Sequence, residues 1–278
     1  MIKINNEEIR IRPSAIEGFY GCAWQWGKHF LEGVNSMPNS RAAIGTAIHA
    51  GIENIWTENM DGKDKSKYSL SAATDAAIEA FKEEQDKGLE LDEEVESVNS
   101  CHAEILAGTD TFLEDIHPFA KIPEAVEEFY TVPLSNPIVS EIGGTVDYIG
   151  HGVIADVKTS KRKPAPTSYT VQQSIYKFLA EENGVTVNSN LIHGIVLKKQ
   201  PEGMILPLEP KVEYAKNLVN MMLDTLTLVS KDVAPIDQIL RPNPKYMFCS
   251  QKFCQFYGKC PATKPLELQP TTIAKVKL

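Results

Sequence analysis

The sequence predicts a single α/β domain whose first half is mainly helical. Apolar residues recur with helical spacing as far as about residue 116. After Pro123 the pattern changes to short segments rich in β-branched and aromatic residues, which is typical of β-strands. We therefore divide the one domain, residues 1–278, into a mainly helical part (1–120), an α/β core (121–232) and a Cys-rich C-terminal segment (233–278).

The composition is typical of a globular protein. The chain has 278 residues, of which 42% are hydrophobic and 23% are charged, so it can bury a substantial core. No apolar run is long enough to span a membrane and the first residues lack the apolar core of a signal peptide, so we expect a cytoplasmic protein. The net charge of −9 disfavours a broad, nonspecific grip on nucleic acid, and any such contact must be local.

Helical periodicity predicts four helices in the first part of the chain. Ser14 is the expected N-cap of the first helix, with Glu17 completing a capping box, and Cys22 lies inside that helix. The polar stretch 60–69 is expected to be a loop. The four helices are predicted at residues 13–33, 40–59, 70–87 and 94–116.

The second part begins with a predicted β-meander. Gly150-His151-Gly152 predicts a tight turn that makes the second and third strands an antiparallel hairpin. The remaining elements follow from the same periodicities. Strands are predicted at 125–132, 139–148, 153–158, 190–198 and 203–209, with helices at 167–183 and 211–230.

The hairpin carries two carboxylates and a lysine. Asp147 and Asp156 lie on adjacent arms, and Lys158 shares the face of Asp156 because strand side chains alternate with period two. Two facing carboxylates repel each other unless a cation lies between them, and hard oxygen ligands suit Mg²⁺ or Mn²⁺. Such an ion polarises a phosphate and activates water, while the lysine ammonium stabilises developing charge. In isolation, the same residues are also typical of ordinary strand ends.

Four short motifs extend this constellation along the chain. They are Gly45-x-x-x-His49, Gly-x-x-Asp147, Asp156-x-Lys158-Thr159 and Gln172-x-x-x-Tyr176. In this order they resemble the RecB-type branch of the PD-(D/E)xK nuclease superfamily, which includes the AddB nuclease domain and the CRISPR-associated RecB-like exonucleases. The resemblance implies a restriction-endonuclease-like fold, in which helices flank a mixed β-sheet core. It runs from Arg12 to Pro261.

The resemblance also implies roles for individual residues. His49, Asp147 and Asp156 would be metal ligands together with the carbonyl of Val157, and Lys158 would be the catalytic lysine. Gln172 and Tyr176 would steady the site or the DNA strand. An acidic residue is also expected on the preceding strand, and either Glu127 or Glu128 could supply it. Without the other motifs, His49 would be interpreted as a structural residue of its helix. The i, i+4 spacing of Gln172 and Tyr176 is equally typical of an ordinary packed helix.

The densest cluster of positive charge follows Asp156. Lys161, Arg162 and Lys163 continue from Lys158 and are the predicted contacts to DNA, although a solvated loop is the alternative.

Three cysteines are closely spaced near the C-terminus. In a reducing compartment, the spacing Cys249-x4-Cys254-x5-Cys260 predicts metal ligation. The family resemblance implies that Cys22 is the fourth ligand of a four-iron four-sulfur cluster. The first two late cysteines are further apart than is common in the family, and tetrahedral zinc is the main competitor. Cys101 is expected to be a buried small hydrophobic residue.

The resemblance implies a metal-dependent DNA exonuclease that acts on a single-stranded or duplex end in recombination, repair or phage DNA processing. A homo-oligomer or a recombination partner protein is compatible with it. The alternative is a catalytically inactive iron-sulfur subunit that binds nucleic acid within a larger complex.

Overall fold

A six-stranded mixed β-sheet forms the centre of the part of the chain that the computed structural model describes, residues 9–35, 39–89, 91 and 97–264. The predicted fold class, a mixed sheet flanked by helices, is confirmed. Every predicted strand is found to within two residues at each end. The strands are β1 (Ile9–Ile11), β2 (Ala125–Pro133), β3 (Val139–Gly150), β4 (Val153–Ser160), β5 (Ser189–Val196) and β6 (Glu202–Leu208).

Strand β3 organises the sheet. β2 pairs antiparallel along one edge of β3, whereas β1, which is parallel, and β4, which is antiparallel, share the opposite edge. β5 pairs parallel with β4, and β6 pairs antiparallel with β5. A parallel pair needs a crossover connection, and helix α6 (Thr170–Glu182) lies in the connection between β4 and β5.

The predicted hairpin between β3 and β4 is confirmed. His151 and Gly152 form its two-residue turn with φ values of 54° and 76°, the left-handed backbone of a type I′ turn. The paired residues run only from Gly150 and Val153 to Tyr148 and Ala155. Beyond Tyr148 and Ala155 the two strands no longer pair, so the side chains that follow have space between the strands.

The N-terminal part is helical, as predicted, but the prediction is wrong in two details. Pro13 begins the first helix and Arg12 is its N-cap, because the fixed φ of proline suits the first helical position; Ser14 is therefore not the cap. Cys22 has an extended backbone (φ −155°) that divides the predicted helix 13–33 in two, so Cys22 lies between helices. The observed helices are α1 (Pro13–Gly21), α2 (Ala23–Phe30), α3 (Ser40–Gly62), α4 (Leu70–Asp86) and α5 (Val98–Thr111).

Helix α5 is followed by one π-helical turn, Phe112–Ile116, so the predicted helix 94–116 is only partly α-helical, and its first residues lie outside the described part. The last helices are α7 (Val212–Ser230), as predicted, and the short α8 (Ile236–Ile239). Among the described helices, none combines the length and apolar character needed to cross a bilayer.

Helix α3 is the best buried of the N-terminal helices. The side chains of its apolar stripe are at most 2% exposed and pack against α4, α5 and the sheet. A fully buried Ile or Leu side chain contributes about 1.5–3 kcal/mol, so this stripe fixes the helix firmly against the sheet. The stripe consists of Ile44, Ile48, Ile52, Ile55 and Trp56. The side chains on the neighbouring face of α3, His49 among them, are consequently held at a fixed position.

Candidate active site

Two carboxylates occupy the place where β3 and β4 separate. Asp147 is 8% exposed and Asp156 is 3% exposed. The backbone N–H of Val157 donates a 2.7 Å hydrogen bond to Asp147 Oδ2. The side chain of Asp147 therefore satisfies a backbone donor that has lost its partner in the strand ladder, and this hydrogen bond orients the carboxylate.

Lys158 points to the same side of β4 as Asp156, as the period of two predicts. Its Nζ lies 2.6 Å from Asp156 Oδ2 and 5.4 Å from the centre of the Tyr169 ring. Burial lowers the pKa of Lys158, but Asp156 and Asp147 outweigh it, so the net shift is upward. The ammonium is therefore kept charged beside the carboxylates.

Helix α3 brings His49 to the carboxylates. A Cβ at Gly45 would lie 2.9 Å from Thr159 Oγ1, so the absence of a side chain lets this turn of α3 approach β4 closely. One turn later, His49 Nδ1 lies 3.6 Å from Asp147 Oδ2. Burial lowers the pKa of His49, and Asp156 opposes that shift. A neutral imidazole is the form that binds metals.

Glu127, and not Glu128, belongs to this group. Glu128 is exposed, whereas Glu127 lines the cleft between α3 and the sheet. Donor atoms of His49, Glu127 and Asp147 all lie within 4.8 Å of one another. Glu127 has a φ of 49°, a left-handed conformation that is strained for a residue with a Cβ.

Glu53 is a further acidic residue that the sequence prediction did not include. It follows His49 by four residues on α3 and lines the same cleft, which has a volume of about 340 Å³. The i, i+4 spacing from His49 was the available signal, because residues four apart lie on one helical face. Burial is the largest cause of the raised pKa values of Glu127 and Asp147, and the negative charge of Glu53 raises both pKa values further.

The carboxyl groups in and beside the cleft resist ionisation. Burial raises the pKa of Asp147 to about 6. Burial and the negative charge of Asp147 raise the pKa of Asp156 to about 6 as well. Burial and three neighbouring carboxylates raise the pKa of Glu127 to about 7. Excess negative charge held away from water is a property of sites built to receive a cation. Oxygen and imidazole donors of this kind fit Mg²⁺ or Mn²⁺.

Gln172 and Tyr176 reach the site from α6. Gln172 Nε2 donates to Asp156 Oδ1 at 3.2 Å and to the Tyr176 hydroxyl at 3.3 Å. Gly144, three residues before Asp147, has no side chain to obstruct this approach, since a Cβ there would lie 3.0 Å from Tyr176 Cε1. The structure thus brings all four motifs of the sequence to one place.

The basic cluster 161–163 leaves the sheet at the end of β4. All three side chains are exposed, and Lys161 Nζ forms a 2.8 Å ion pair with Glu104 Oε1. Glu104 also pairs with Arg41. Glu104 is shared by two cations and offsets only part of the charge of Lys161, while Arg162 and Lys163 are exposed.

The four cysteines that were predicted to bind a cluster line one small cavity. Cys22 enters it from the junction of α1 and α2, and Cys249, Cys254 and Cys260 enter it from the C-terminal turns. Burial raises the pKa of Cys249, and the other three thiols raise it further. By contrast, Cys101 is fully buried in the core around α3, away from this cavity.

The family model of the PD-(D/E)XK nuclease superfamily matches residues 10–261 of the chain. Among solved structures, a protein of Eubacterium rectale named "Putative exonuclease" is similar over 81% of this chain and 83% of its own, with 13% sequence identity and a TM-score of 0.57. That likeness concerns the fold alone.

A second solved structure, SSO0001, aligns with 89% of this chain and 97% of its own at 14% identity, but its TM-score of 0.35 is too low to support an argument. No curated protein matches the sequence. The family match extends over most of the chain and includes every residue of the cleft. The chain therefore belongs to the PD-(D/E)XK nuclease superfamily.

Proposed function

We propose that the protein is a metal-dependent DNA exonuclease of the RecB-like branch, and that the cleft around Asp147 is its active site. The observation that carries this proposal is the pair of buried carboxylates, Asp147 and Asp156, with Lys158 beside them and an open, acidic cleft in front. A protein that used these groups only for stability would not keep the carboxyl pKa values raised to about 6.

Asp147, Asp156, Glu127 and His49 would hold Mg²⁺ or Mn²⁺, with the carbonyl of Val157 as a further ligand. When bound, the metal ion polarises the scissile phosphate and lowers the pKa of a water molecule. Lys158 keeps its proton and presents a positive charge to the phosphate oxygens as negative charge builds on them.

Hydrogen bonds hold the two aspartates in fixed orientations. Gln172 holds Asp156 in one orientation through its amide N–H, and the Tyr176 hydroxyl supports Gln172. The backbone N–H of Val157 does the same for Asp147. Groups that are oriented before the substrate arrives need no reorganisation during the reaction.

Contacts to DNA would begin next to the site. Arg162 and Lys163 follow Lys158 by a few residues and are exposed, so they are positioned to contact phosphates, with Lys161 contributing less because of Glu104. We expect action on a single-stranded or duplex end, in recombination, repair or phage DNA processing. The function of the Eubacterium rectale protein, as its name gives it, agrees with cleavage from an end. A homo-oligomer or a recombination partner protein is compatible with this proposal.

We propose that Cys22, Cys249, Cys254 and Cys260 hold a four-iron four-sulfur cluster that joins the two ends of the domain in the reducing cytoplasm. Zinc in a tetrahedral four-cysteine site is the alternative occupant, because it takes the same ligands. Visible absorption of anaerobically purified protein distinguishes them, since a colourless sample with stoichiometric zinc would refute the cluster.

The experiment for the activity uses end-labelled single-stranded and duplex DNA with Mg²⁺ or Mn²⁺. The wild-type protein and Asp224→Asn, a matched change at an exposed aspartate on α7, should release short products, and Asp156→Asn should release none. Blocking either the 5′ or the 3′ terminus then gives the polarity. If the wild-type protein binds DNA but cuts with neither metal, the chain is instead the inactive iron-sulfur subunit.

A further inference from the structure

An aromatic cavity lies between the N-terminal helices and residues 241–264, which we call the cysteine segment. It has a volume of about 300 Å³, at the lower end of the ~300–1,000 Å³ range of ligand pockets. Its wall includes Gly18 of α1, Trp26 and Phe30 of α2, and Tyr246, Phe248 and Phe253 of the cysteine segment. We refer to it as the aromatic cavity.

The wall of the cavity contains both packed and exposed rings. Trp26 and Phe30 are stacked in parallel, with centroids 4.7 Å apart and an interplanar angle of 12°. Phe248 is 42% exposed and Phe253 is 56% exposed. Large apolar rings that remain exposed around one concave feature mark a binding surface and contribute little to the core.

The segment that carries half of this wall is strongly basic. Residues 241–264 contain five lysine or arginine residues and no aspartate or glutamate, although the whole chain has a net charge of −9. Lys252 Nζ lies 5.6 Å from the centre of the Phe253 ring. Aromatic rings interleaved with cations in one segment are the pattern of single-stranded nucleic-acid binding. The cations are Arg241, Lys245, Lys252, Lys259 and Lys264.

Helix α1 connects the cavity to the active site. The last residue of α1, Gly21, packs directly against the Tyr246 ring of the cavity wall, with no room for a Cβ between them. The first residue of α1, Pro13, packs against Gly144 of β3 beside Tyr176, since a Cβ at Gly144 would lie 2.7 Å from Pro13 Cδ and 3.0 Å from Tyr176 Cε1. Helix α1 therefore runs from the active site to the aromatic cavity.

We propose that the aromatic cavity binds an unpaired base of the DNA strand that enters the active site, while the lysines of residues 241–264 contact its phosphates. The inference rests on the proposed function in taking DNA as the substrate, and it narrows that substrate to an end with at least one unpaired nucleotide. A cavity of this volume accepts one or two ring systems and is far too small for a duplex. Stacking on aromatic faces tolerates any base, which suits an enzyme that digests arbitrary sequences.

The test uses the complete protein, purified anaerobically, with Ca²⁺ in place of Mg²⁺ and a fluorescein-labelled strand of twelve thymidines as the probe. A set of strands with a single abasic position, moved one nucleotide at a time from the end, is compared by fluorescence anisotropy. We expect one or two positions at which loss of the base weakens binding by roughly 5- to 150-fold, the range for one stacked base. A blunt hairpin duplex should bind more weakly than the single strand.

Two independent variants address the cavity itself. Phe253→Ala removes an exposed ring, and Gly18→Leu fills the cavity. The matched control is Phe119→Ala, which removes an exposed ring outside the cavity. We expect Phe253→Ala and Gly18→Leu to weaken single-strand binding and to flatten the abasic profile, and Phe119→Ala to behave as wild type. Thermal melting of each variant verifies that it is folded.

A uniform abasic profile in the wild-type protein overturns the proposal, as does wild-type binding by both Phe253→Ala and Gly18→Leu. A cavity occupied by a protein segment would give the first of these results. Cleavage of the same strand with Mg²⁺ is measured in parallel, so that failure of the proposed function appears as absent cleavage with the abasic profile intact.

Discussion

Replacing Asp147 with asparagine should stabilise the metal-free protein. Burial raises the pKa of Asp147 from 3.8 to about 6. At pH 8 the carboxylate is ionised in both states, and each pKa unit corresponds to about 1.4 kcal/mol. The ionised carboxylate therefore disfavours the folded state by up to about 3 kcal/mol. Asp147→Asn removes this penalty, and the amide oxygen of the asparagine can still accept the hydrogen bond from the Val157 N–H.

The expected gain is smaller than this maximum, because the buried asparagine amide itself loses its contacts with water. We expect a gain of about 1–2 kcal/mol, which raises the melting temperature by roughly 2–4 °C for a chain of this size. A group whose pKa is raised in the folded state favours folding at low pH and loses that effect as the pH rises through its folded pKa. The difference between variant and wild type should therefore be largest at pH 8 and vanish near pH 4.

The assay is thermal unfolding followed by circular dichroism with a chelator present, at several pH values, with Asp224→Asn as the control. Adding Mg²⁺ should stabilise the wild type and Asp224→Asn, because a ligand that binds the folded state raises its stability, and it should not stabilise Asp147→Asn. If Asp147→Asn melts below the wild type at pH 8 without metal, the carboxylate has a structural role through Val157, and the metal-site reasoning is refuted.

Three further predictions concern the site and its surroundings. Because a metal ligand must lose its proton and the pKa of Glu127 is about 7, Mg²⁺ affinity measured by calorimetry should fall as the pH drops from 8 to 6; a pH-independent affinity would remove Glu127 from the ligand set. Gly45→Ala should lower nuclease activity about tenfold or more by moving α3, and His49 with it, away from β4. A second change, Thr159→Ala, should restore much of that activity, whereas no recovery would mean that the clash with Thr159 is not the cause. Burial lowers the pKa of His193 to about 4, so this histidine stays neutral in the fold and its protonation in the unfolded chain reduces stability as the pH falls from about 6.5 to 4. His193→Phe keeps a ring against Trp56 and should lessen the acid-induced fall in melting temperature, and an equal fall in both proteins would contradict this.

The parts of the site that sequence could predict are those governed by regular backbone geometry. The turn at His151-Gly152 and the alternation of strand side chains were enough to place Lys158 beside Asp156. The choice between Glu127 and Glu128 could not be made in this way, because it depends on the register of β2 against β3. The pairs Val126–Tyr148 and Glu128–Val146 place Glu127 opposite Asp147, and the sequence alone does not give that register. The break at Cys22 escaped prediction because one extended residue leaves the helical pattern on both sides intact.

The positive charge that attracts DNA has to be local, because the chain as a whole is acidic. A cleft with several buried carboxylates repels DNA until a cation occupies it, so attraction for the strand has to come from elsewhere on the molecule. The cluster 161–163 is partly neutralised by Glu104, which already pairs with Arg41. Residues 241–264 have no acidic residue at all, and Tyr246 among them packs against Gly21 of α1. The cysteine segment is thus a second source of attraction for phosphates besides the cluster 161–163. A metal cluster that fixes this segment to α1 and α2 would then also fix the position of the DNA relative to the catalytic carboxylates.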